Sequence, residues 1–447
     1  MTKITEGENA WLADFDQFEK SGAGKSYPWL GAIRKEAIAR FAELGFPTMR
    51  SEEWRHTNVA PIADGSFKPA RPGTNGLTAG KLANFIFSDI DCCNLVFVNG
   101  FYSADLSTPE ALPKGVRAGS LAAALQSEPR KVEPYLARHA SFKENAFVAL
   151  NTAFMLDGGF VYLPPETILK KVIHLLFIST ADAGATVSYP RNLIVVGSGS
   201  QVSMVESYIG LKRGIYFTNA VTEIVAGDNA VIGHYKLQRE GDEACHVASL
   251  HILQEENADV SSHSISLGGM LTRNDITAVM NGEGGNLTLN GLYVTKSRQH
   301  IDNHTNIDHA KPHCNSRELY KGILDDQSSG VFDGRILVRP DAQKTNAKQT
   351  NKNLLLSEEA LVNTAPRLEI FADDVKCTHG ATIGRLNEEE LFYLRSRGIG
   401  EEAARALLTY AFASDIVGTV EIKPFQCQLD LVLLARLSRA EGVDVPL

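Results

Sequence analysis

Hydrophobic residues near the start of the chain recur at helical spacing. Trp11, Phe15 and Phe18 are separated by four and then three positions, which places all three on one face of a helix. The same spacing over residues 30–44 predicts a second helix, and Gly45 follows its last apolar position. A glycine at this point indicates the end of the helix, because glycine readily adopts the left-handed conformation that closes many helices.

Extended and helical patterns alternate in the segment that follows. The apolar run at 95–98 predicts a short strand, and helical spacing returns at 120–126 and again at 133–139. Together with the first two helices, these segments predict a mainly helical N-terminal domain that covers residues 1–157.

The hydrophobic pattern changes between residues 158 and 384. Short runs of β-branched residues alternate there with glycine, asparagine and aspartate, which is typical of many short strands joined by turns. The predicted strands include 192–196, 202–205, 220–225, 230–237, 246–253, 260–267 and 287–294.

A recurring corner separates several of these strands. Gly-Asp-Asn-Ala precedes Val231, Glu-Asn-Ala-Asp precedes Val260, and Glu-Gly-Gly-Asn precedes Leu287. These three positions are 29 and then 27 residues apart, a length that fits two or three strands per repeat. Because a β-sandwich has a similar strand pattern without a recurring corner, the repeat favours a parallel β-helix over residues 158–384.

Helical signals return after Gly384. Asn387 can cap a helix, and the acidic residues 388–390 oppose the positive charge of its first turn. Two further helices are predicted over 401–416 and 425–437. A helical domain of this size is marginal on its own, so we expect residues 385–447 to pack on the β-rich core or on a partner.

Composition and charge exclude several classes of protein. The 447 residues contain 44 Lys and Arg against 53 Asp and Glu, a net charge of −9 that argues against a nucleic-acid partner. The six cysteines form no Cys-x-x-Cys pair, which favours reduced thiols. The most apolar windows are shorter than a membrane span, and the acidic start of the chain is unlike a secretory signal. We therefore expect a cytoplasmic protein without a membrane segment.

No recognisable nucleotide-binding or catalytic motif is present. The Gly22–Ser26 segment lacks the first glycine of a phosphate-binding loop and carries Glu19 in its place. Gly197-Ser-Gly199 is followed by a strand-like pattern rather than by a helix, so a turn is the better interpretation. Since no nucleophile–base pair or acid pair is evident either, we predict that the chain is not an enzyme and has no tightly bound cofactor.

A group of histidines supports an alternative function. Imidazole nitrogens and a thiolate suit zinc or iron, so a β-helix metalloenzyme with a metal-activated water is the competing hypothesis. Hydrogen-bonded histidines on a subunit surface explain the same residues without a metal. The group consists of His300, His304, His309, His313 and Cys314.

Cys377 and His379 form a smaller and sharper pair. The segment 374–382 follows an alternating apolar run and is therefore predicted to be a strand. Residues two apart on a strand project from the same face, so the thiol and the imidazole would lie side by side. Such a pair suits iron or an iron–sulfur species, although most isolated pairs of this kind only pack.

The surrounding sequence resembles the SufB/SufD family of iron–sulfur cluster assembly scaffolds. Three separate motifs carry the resemblance, which extends over about residues 28–437. They are Gly45-Phe-Pro47 with Glu53-Trp-Arg-His-Thr57; Asp302-Asn-His304-Thr with His309, Ser316 and Tyr320-Lys-Gly322; and Pro366-Arg-Leu-Glu-Ile-Phe-Ala-Asp-Asp-Val-Lys-Cys377-Thr-His379-Gly-Ala-Thr-Ile-Gly384.

Two departures distinguish the branches of this family. The chain reads Cys-x-His-Gly-Ala-Thr where SufB typically reads His-Glu-Ala-Thr. It also lacks, around Asn351-Lys-Asn353, the Cys-Asp-Ser that SufB carries. Both differences favour the SufD branch over the alternative that the chain is the sister scaffold SufB.

The resemblance implies an architecture and a set of partners. It implies a right-handed parallel β-helix between two helical domains, a heterodimer with SufB through the β-helix, and the ATPase SufC bound to the C-terminal helical domain. It leaves open a homodimer in the absence of SufB, and the possibility that all cluster ligands come from SufB.

The resemblance also implies a metal-binding role for two residues. His379 would meet a SufB cysteine at the shared interface, where a transient iron–sulfur cluster forms and is then released. Cys377 would be a weaker ligand or a support beside it.

Overall fold

The computed structural model describes residues 6–22, 27–73, 76–87, 90–109, 111–181 and 184–437. The first residues of the chain, from which the absence of a signal was predicted, and residues 23–26 of the glycine-containing segment lie outside this set.

Helices lie at both ends of the chain, and strands occupy its centre. The helices are α1 Glu6–Lys20, α2 Pro28–Leu44, α3 Ala60–Ala63, α4 Ala79–Leu82, α5 Leu121–Ser127, α6 Pro129–Val132, α7 Ala146–Phe154, α8 Glu388–Ser396, α9 Glu401–Val417 and α10 Lys423–Leu437. The early strands are β1 Lys68–Pro69, β2 Cys92–Val98, β3 Phe101–Tyr102, β4 Arg117–Ser120, β5 Gly159–Leu163, β6 Val172–Ser179, β7 Thr186–Ser188 and β8 Arg191–Val196. The later strands are β9 Gln201–Gly210, β10 Tyr216–Ala226, β11 Val231–Arg239, β12 Cys245–Gln254, β13 Asp259–Ser266, β14 Leu271–Met280, β15 Asn286–Thr295, β16 His300–His309, β17 Asn315–Leu324, β18 Ser329–Val338, β19 Asn346–Leu355, β20 Leu361–Ile370 and β21 Lys376–Gly384.

The strands form two facing sheets, and each coil of the solenoid contributes one strand to each sheet. Sheet A has the order β4-β5-β8-β10-β12-β14-β16-β18-β20, with β7 and β1 beside it. Sheet B has the order β3-β2-β6-β9-β11-β13-β15-β17-β19-β21. Successive strands alternate between the sheets, and neighbours in the long part of each sheet are parallel. This is a parallel β-solenoid of about seven turns, so the predicted parallel β-helix with flanking helices is confirmed.

Side chains stack in columns along the solenoid because each strand is in register with the next. One inner column of sheet B runs from Met204 through His234, Ser262, Leu289, Glu318 and Gln349 to His379. Apolar members of the inner columns, such as Ile224, Ile276 and Ile336 from sheet A, fill most of the space between the sheets. The core therefore lies inside the coils. The inner residues of a strand lie in the same environment as those of the neighbouring strand in the same sheet.

The recurring corner predicted from the sequence has a specific backbone conformation. The residue two positions before each of six sheet B strands adopts a left-handed conformation with φ between 54° and 74°. Its N–H donates to a carbonyl of the next corner, as Asn229 does to Glu256 at 2.7 Å. Glycine and asparagine suit this conformation best. The six residues are Gly199, Asn229, Asn257, Gly284, His313 and Lys344.

The two helical regions pack on opposite outer faces of the solenoid. The N-terminal aromatic residues Trp11 and Phe147 belong to one buried cluster with Val221 on the outer face of sheet A. On sheet B, Tyr235 packs in a cluster with Phe425 of α10. The expectation that the C-terminal helices would pack on the β-rich core is confirmed. The division into three domains stays a prediction, although β2 extends sheet B from within residues 1–157.

The predicted helix over residues 133–139 is wrong. Pro134 has no backbone N–H to continue a helix, and the chain forms turns there instead. The backbone N–H groups of residues 137–140 donate to the buried carboxylate of Glu223, at 2.8 to 3.1 Å. Glu223 also accepts from Arg191 at 2.7 Å. Its burial raises the pKa, but Arg191 and these N–H groups lower it below the usual value.

The six cysteines, all of which lie within the described ranges, form no disulfide bond. Within the described part of the chain, no helix has the length and the apolar character needed to cross a membrane.

Candidate functional site

The solenoid ends in an uncovered coil formed by β20 and β21, which we call the open end. Among the described residues, β20 pairs only with β18, and β21 pairs only with β19, so each strand leaves one edge unpaired. Apolar side chains are exposed there, with Phe371 63% and Ile383 51% accessible. Natural sheets normally protect such edges, so an uncovered pair of edges with apolar side chains indicates a contact surface.

Cys377 and His379 lie on β21 and face the same side, as predicted. They are in register with Ala347 and Gln349, which are buried inside the preceding coil. Because no further coil covers them, Cys377 is only half-buried and His379 is exposed. His379 therefore continues an inner column rather than pointing away from the wall of the solenoid, and it reaches solvent because the column ends there.

The two side chains differ in their readiness to bind a metal. Cys377 packs against the hydrophobic core, and its burial raises the pKa of the thiol despite an opposing hydrogen bond from Ala347. A raised thiol pKa disfavours the thiolate, which is the form that ligates metals. The imidazole of His379, a ligand type that suits iron, is exposed and open to a partner. The ligand role of both residues stays a prediction.

A buried polar pair lies beneath His379 in the same column. Gln349 Nε2 donates to Glu318 Oε2 at 2.6 Å, and both side chains are buried. Burial raises the pKa of Glu318 to about 7, although hydrogen bonds from Thr305 and Gln349 oppose the rise. Glu318 is not among the residues predicted from the sequence. The motif residues Ser316 and Tyr320 flank it at a period of two, and that spacing could have placed it on the inner face.

The first two sequence motifs meet at one buried ion-pair cluster on the outer face of sheet A. Asp302 Oδ2 accepts from Arg273 at 2.6 Å and from Thr57 at 2.5 Å, and Asp302 Oδ1 lies 3.1 Å from His304 Nε2. The Arg273 guanidinium also stacks on Trp54 at 4.0 Å. Burial raises the pKa of Asp302, but Arg273 and His304 together lower it far below its usual range. These contacts hold the N-terminal segment against the solenoid.

The proposed histidine–cysteine metal cluster is dispersed over three different environments. His300 contacts Thr57 and Ser329 beside the Asp302 cluster, whereas His309 faces Ser316 inside the coil. Burial lowers the pKa of His309 to about 4. Cys314 is also buried, and His313 is an exposed corner residue. Across the described ranges, no three His, Cys, Asp or Glu side chains are grouped so that they could hold a metal ion.

Comparison with protein families accounts for nearly the whole chain. The model for the SufBD protein N-terminal region matches residues 5–175. The model for the SufBD core domain of SUF-system iron–sulfur cluster assembly matches residues 177–412, which include the solenoid from β6 onward. The chain belongs to the SufB/SufD family of iron–sulfur cluster assembly proteins.

Individual relatives match over almost their full lengths. A SufBD family protein of Synechocystis is 35% identical over 404 residues, which cover 89% of this chain and 88% of that protein. Escherichia coli SufD is 31% identical over 418 residues, with coverage of 93% and 94%. The chloroplast protein ABCI7 of Arabidopsis thaliana is 31% identical over 395 residues, with coverage of 87% and 82%. The resemblance noted from the motifs is confirmed at the level of the family.

Asparagines occupy the lumen where the SufB branch is expected to carry a cysteine. Asn353 Nδ2 donates to Asn351 Oδ1 at 2.6 Å, and Tyr293 donates to Asn353 Oδ1 at 2.5 Å. A Cβ atom at Gly322 would come within 2.4 Å of the Tyr293 ring, which explains a glycine in that motif. This family member therefore fills the position with a closely packed amide layer and no thiol.

Proposed function

We propose that this chain is a non-enzymatic scaffold subunit that holds a nascent iron–sulfur cluster, as cargo, at the open end of its β-helix. His379 would supply one ligand, and a SufB-type partner would supply a thiolate across the interface. The observation that carries this proposal is the exposed imidazole of His379 on the last, uncovered strand of the solenoid.

The ligand set fits transfer better than storage. A permanent cluster is held by four cysteine thiolates, whereas one imidazole and one thiolate from two chains form fewer and weaker bonds. Such a site can release its cargo when the chains separate. Cys377, with its half-buried thiol and raised pKa, would act as a support or a secondary ligand.

The open end also supports pairing with a SufB-type partner through the β-helix. Two unpaired strand edges can accept new strands by main-chain hydrogen bonding, a common mode of recognition between sheets. The exposed Phe371 and Ile383 would be buried in the same contact. A second copy of this chain could occupy the surface when the partner is absent.

The C-terminal helices support the binding of a SufC-type ATPase. Phe392 and Tyr393 on α8 are 73% and 57% accessible, and together they form an apolar surface that a partner would cover. The neighbouring helix α9 is fixed to sheet B, because Lys321 on β17 donates to Asp415 and to the Phe412 carbonyl. A movement of the ATPase would thereby reach the sheet that carries His379, and could open the interface.

The central test replaces His379 with alanine in the complex with SufB and SufC. We expect His379→Ala to leave complex assembly and ATP hydrolysis intact and to reduce cluster formation in cells at least about tenfold. His313→Asn is the matched control, because His313 is an exposed histidine on a distant corner and asparagine suits its backbone conformation.

Anaerobic purification followed by absorption spectroscopy measures the cluster content of each complex. If His379→Ala retains the wild-type cluster content, the ligands come from the partner alone and the chain has a purely architectural role.

A second test addresses the ATPase contact. We expect Phe392→Ser to reduce co-purification of SufC while SufB pairing is unchanged, because a polar residue removes apolar contact area from the proposed surface. Ile168→Ser is a control, since Ile168 is also exposed but lies on the solenoid. A point substitution is preferable to deletion of the domain, because deletion would uncover Tyr235 and the rest of its buried cluster. Unchanged SufC recovery would contradict the contact.

A further inference from the structure

A long groove crosses the outer face of sheet B and reaches β19, the strand that pairs with β21 of the open end. The Asp302 cluster lies on the other sheet. The groove has a volume of about 660 Å³ and runs across strands β9 to β19, beside the loop that carries Thr419 and Glu421. Ser261, Thr288 and Thr350 are among its lining residues and contribute hydroxyl groups to its floor. The volume is that of a typical small-molecule site, but the lining is unusually polar.

Cations are concentrated at one end of this groove. Arg317 on β17 and Lys348 on β19 are directly in register, and Lys352 lies on the same face of β19. All three side chains are exposed. None of them forms an ion pair with any residue in the described ranges. Like charges directly opposite each other on neighbouring strands are destabilising, so this arrangement opposes folding unless an anion compensates it.

A neighbouring pair of lysines on the same two strands, Lys321 and Lys352, has its positive charge compensated by a carboxylate. Lys321 is in register with Lys352, but its ammonium group donates to Asp415. Burial lowers the pKa of Lys321, the Asp415 carboxylate opposes that, and Lys352 lowers it further. Lys352 therefore repels Lys321, and Asp415 supplies a counter-charge for that pair. None of the described residues supplies one for Arg317 and Lys348.

The opposite face of the same coils is neutralised. On sheet A, Arg335 donates to Glu369 at 2.6 and 2.8 Å, and Arg367 donates to Asp333 at 2.5 Å. Among the described residues, these two arginines of sheet A thus have carboxylate partners, unlike Arg317, Lys348 and Lys352 on the same coils of sheet B. Local arrangements that break a stability rule in this way commonly mark functional sites.

The charge also varies along the groove. Asp259 on β13 and Glu421 line the groove farther from the cations, and burial together with Glu421 raises the pKa of Asp259. A matching ligand therefore has its negative charge at one end and hydrogen-bond donors at the other. A bare acidic surface would meet repulsion at Asp259.

We propose that the groove binds a small phosphate-bearing organic molecule. Its phosphate group lies between Arg317 and Lys348, where the guanidinium donates two hydrogen bonds and the ammonium adds charge. Lys352 and the hydroxyl of Thr350 extend this phosphate end, and the organic part lies toward Asp259. The proposal does not depend on the cluster-scaffold function, because these side chains lie on the outer face of sheet B, whereas Cys377 and His379 continue its inner columns.

The test measures the melting temperature of the purified full chain with inorganic pyrophosphate, against sodium chloride at equal ionic strength. We expect pyrophosphate to raise the melting temperature by about 2–3 °C at a concentration about 100-fold above its Kd. Arg317→Gln and Lys348→Gln should each weaken binding at least about tenfold. Lys311→Gln is the matched control, because it removes the same charge from an exposed corner outside the groove.

Two further measurements make the result decisive. Without ligand, Lys348→Gln should melt at or above the wild-type temperature, since it relieves the repulsion from Arg317, and this excludes misfolding as the cause of lost binding. The proposal is overturned if pyrophosphate has no effect on the wild-type chain or stabilises all variants equally. It is also overturned if only a poly-glutamate peptide of matched charge stabilises the chain, which would indicate an acidic protein partner.

Discussion

Glu318 illustrates how much a single buried residue can influence this protein. Its carboxyl group lies inside the coil below His379 and bonds to Gln349, while burial raises its pKa to about 7. An unfolded chain would ionise this group near its ordinary pKa of about 4.3. The folded chain therefore keeps a proton that the unfolded chain loses over this pH range.

This difference predicts a specific pH dependence of stability. Between about pH 4.5 and pH 7 the folded state binds the extra proton, so the free energy of unfolding falls as the pH rises and then levels off. We expect wild-type stability relative to Glu318→Gln to fall by roughly 3 kcal/mol across this range. Urea denaturation of both proteins at a series of pH values measures it, and parallel pH profiles would contradict the prediction.

At the residue scale, the sequence predicted which side chains share a face of a strand better than it predicted contacts between coils. The common face of Cys377 and His379 followed from their spacing of two. The exposure of His379 did not, because it depends on the solenoid ending at the strand that carries His379. The histidine–cysteine cluster failed for a related reason. A strand, a corner and a second strand send sequence neighbours such as His309, His313 and Cys314 to different environments.

The corner is the element that most directly links sequence to architecture. Five of its six left-handed positions precede strands β9 to β17, and the sixth, Lys344, precedes β19. Asparagine and glycine occupy four of the six, which is why the motif was visible in the sequence. His313 and Lys344 carry side chains that suit this backbone conformation less well.

A substitution at His313 tests the importance of this conformation. We expect His313→Gly to raise the free energy of unfolding by up to about 1 kcal/mol, because glycine adopts a positive φ without steric strain. Asn315→Gly, two residues later on β17, should instead lower stability, since glycine weakens a strand. Thermal denaturation compares the two variants, and equal effects would show that the corner conformation contributes nothing.

Element prediction failed where polar residues fill a strand. β16 reads His-Ile-Asp-Asn-His-Thr-Asn-Ile-Asp-His, and its polar side chains serve the Asp302 cluster on one face and the lumen on the other. Hydrophobic alternation cannot reveal such a strand. The wrong helix at 133–139 has a different cause, because its backbone N–H groups bind a carboxylate that lies 84 residues further along the chain from His139.

At the scale of the molecule, the open end should control the oligomeric state. We expect the isolated chain to self-associate through the unpaired edges of β20 and β21, because these edges and the exposed Phe371 and Ile383 remain uncovered. Combined replacement of Phe371 and Ile383 by lysine should shift the chain toward monomer. Sedimentation velocity at several concentrations measures the shift.

Ile215 provides a control for this experiment, since it is equally exposed but lies between β9 and β10. Ile215→Lys should leave the association unchanged. If the isolated wild-type chain is monomeric at all concentrations, or if the three variants behave alike, the open end is not the surface through which it self-associates.

The β-helix as a whole could be predicted because similar corner residues recur at the length of one coil. The way in which the two helical regions cover opposite faces could not, since that depends on long-range contacts such as those of Tyr235 with Phe425 and of Thr57 with Asp302. Three motifs that are far apart in the sequence proved to have two purposes. The first motif and the Asp302–His304 part of the second fasten the N-terminal segment, and the third forms the open end.

The stacking of coils also has a consequence for the order in which the protein matures. Each strand of sheet B is hydrogen-bonded to the strand before it, so β21 has no template until β19 is in place. During synthesis, the coil that carries His379 is made after the coils on which it stacks. A half-made chain therefore lacks the open end, the surface on which we propose that the cluster is held.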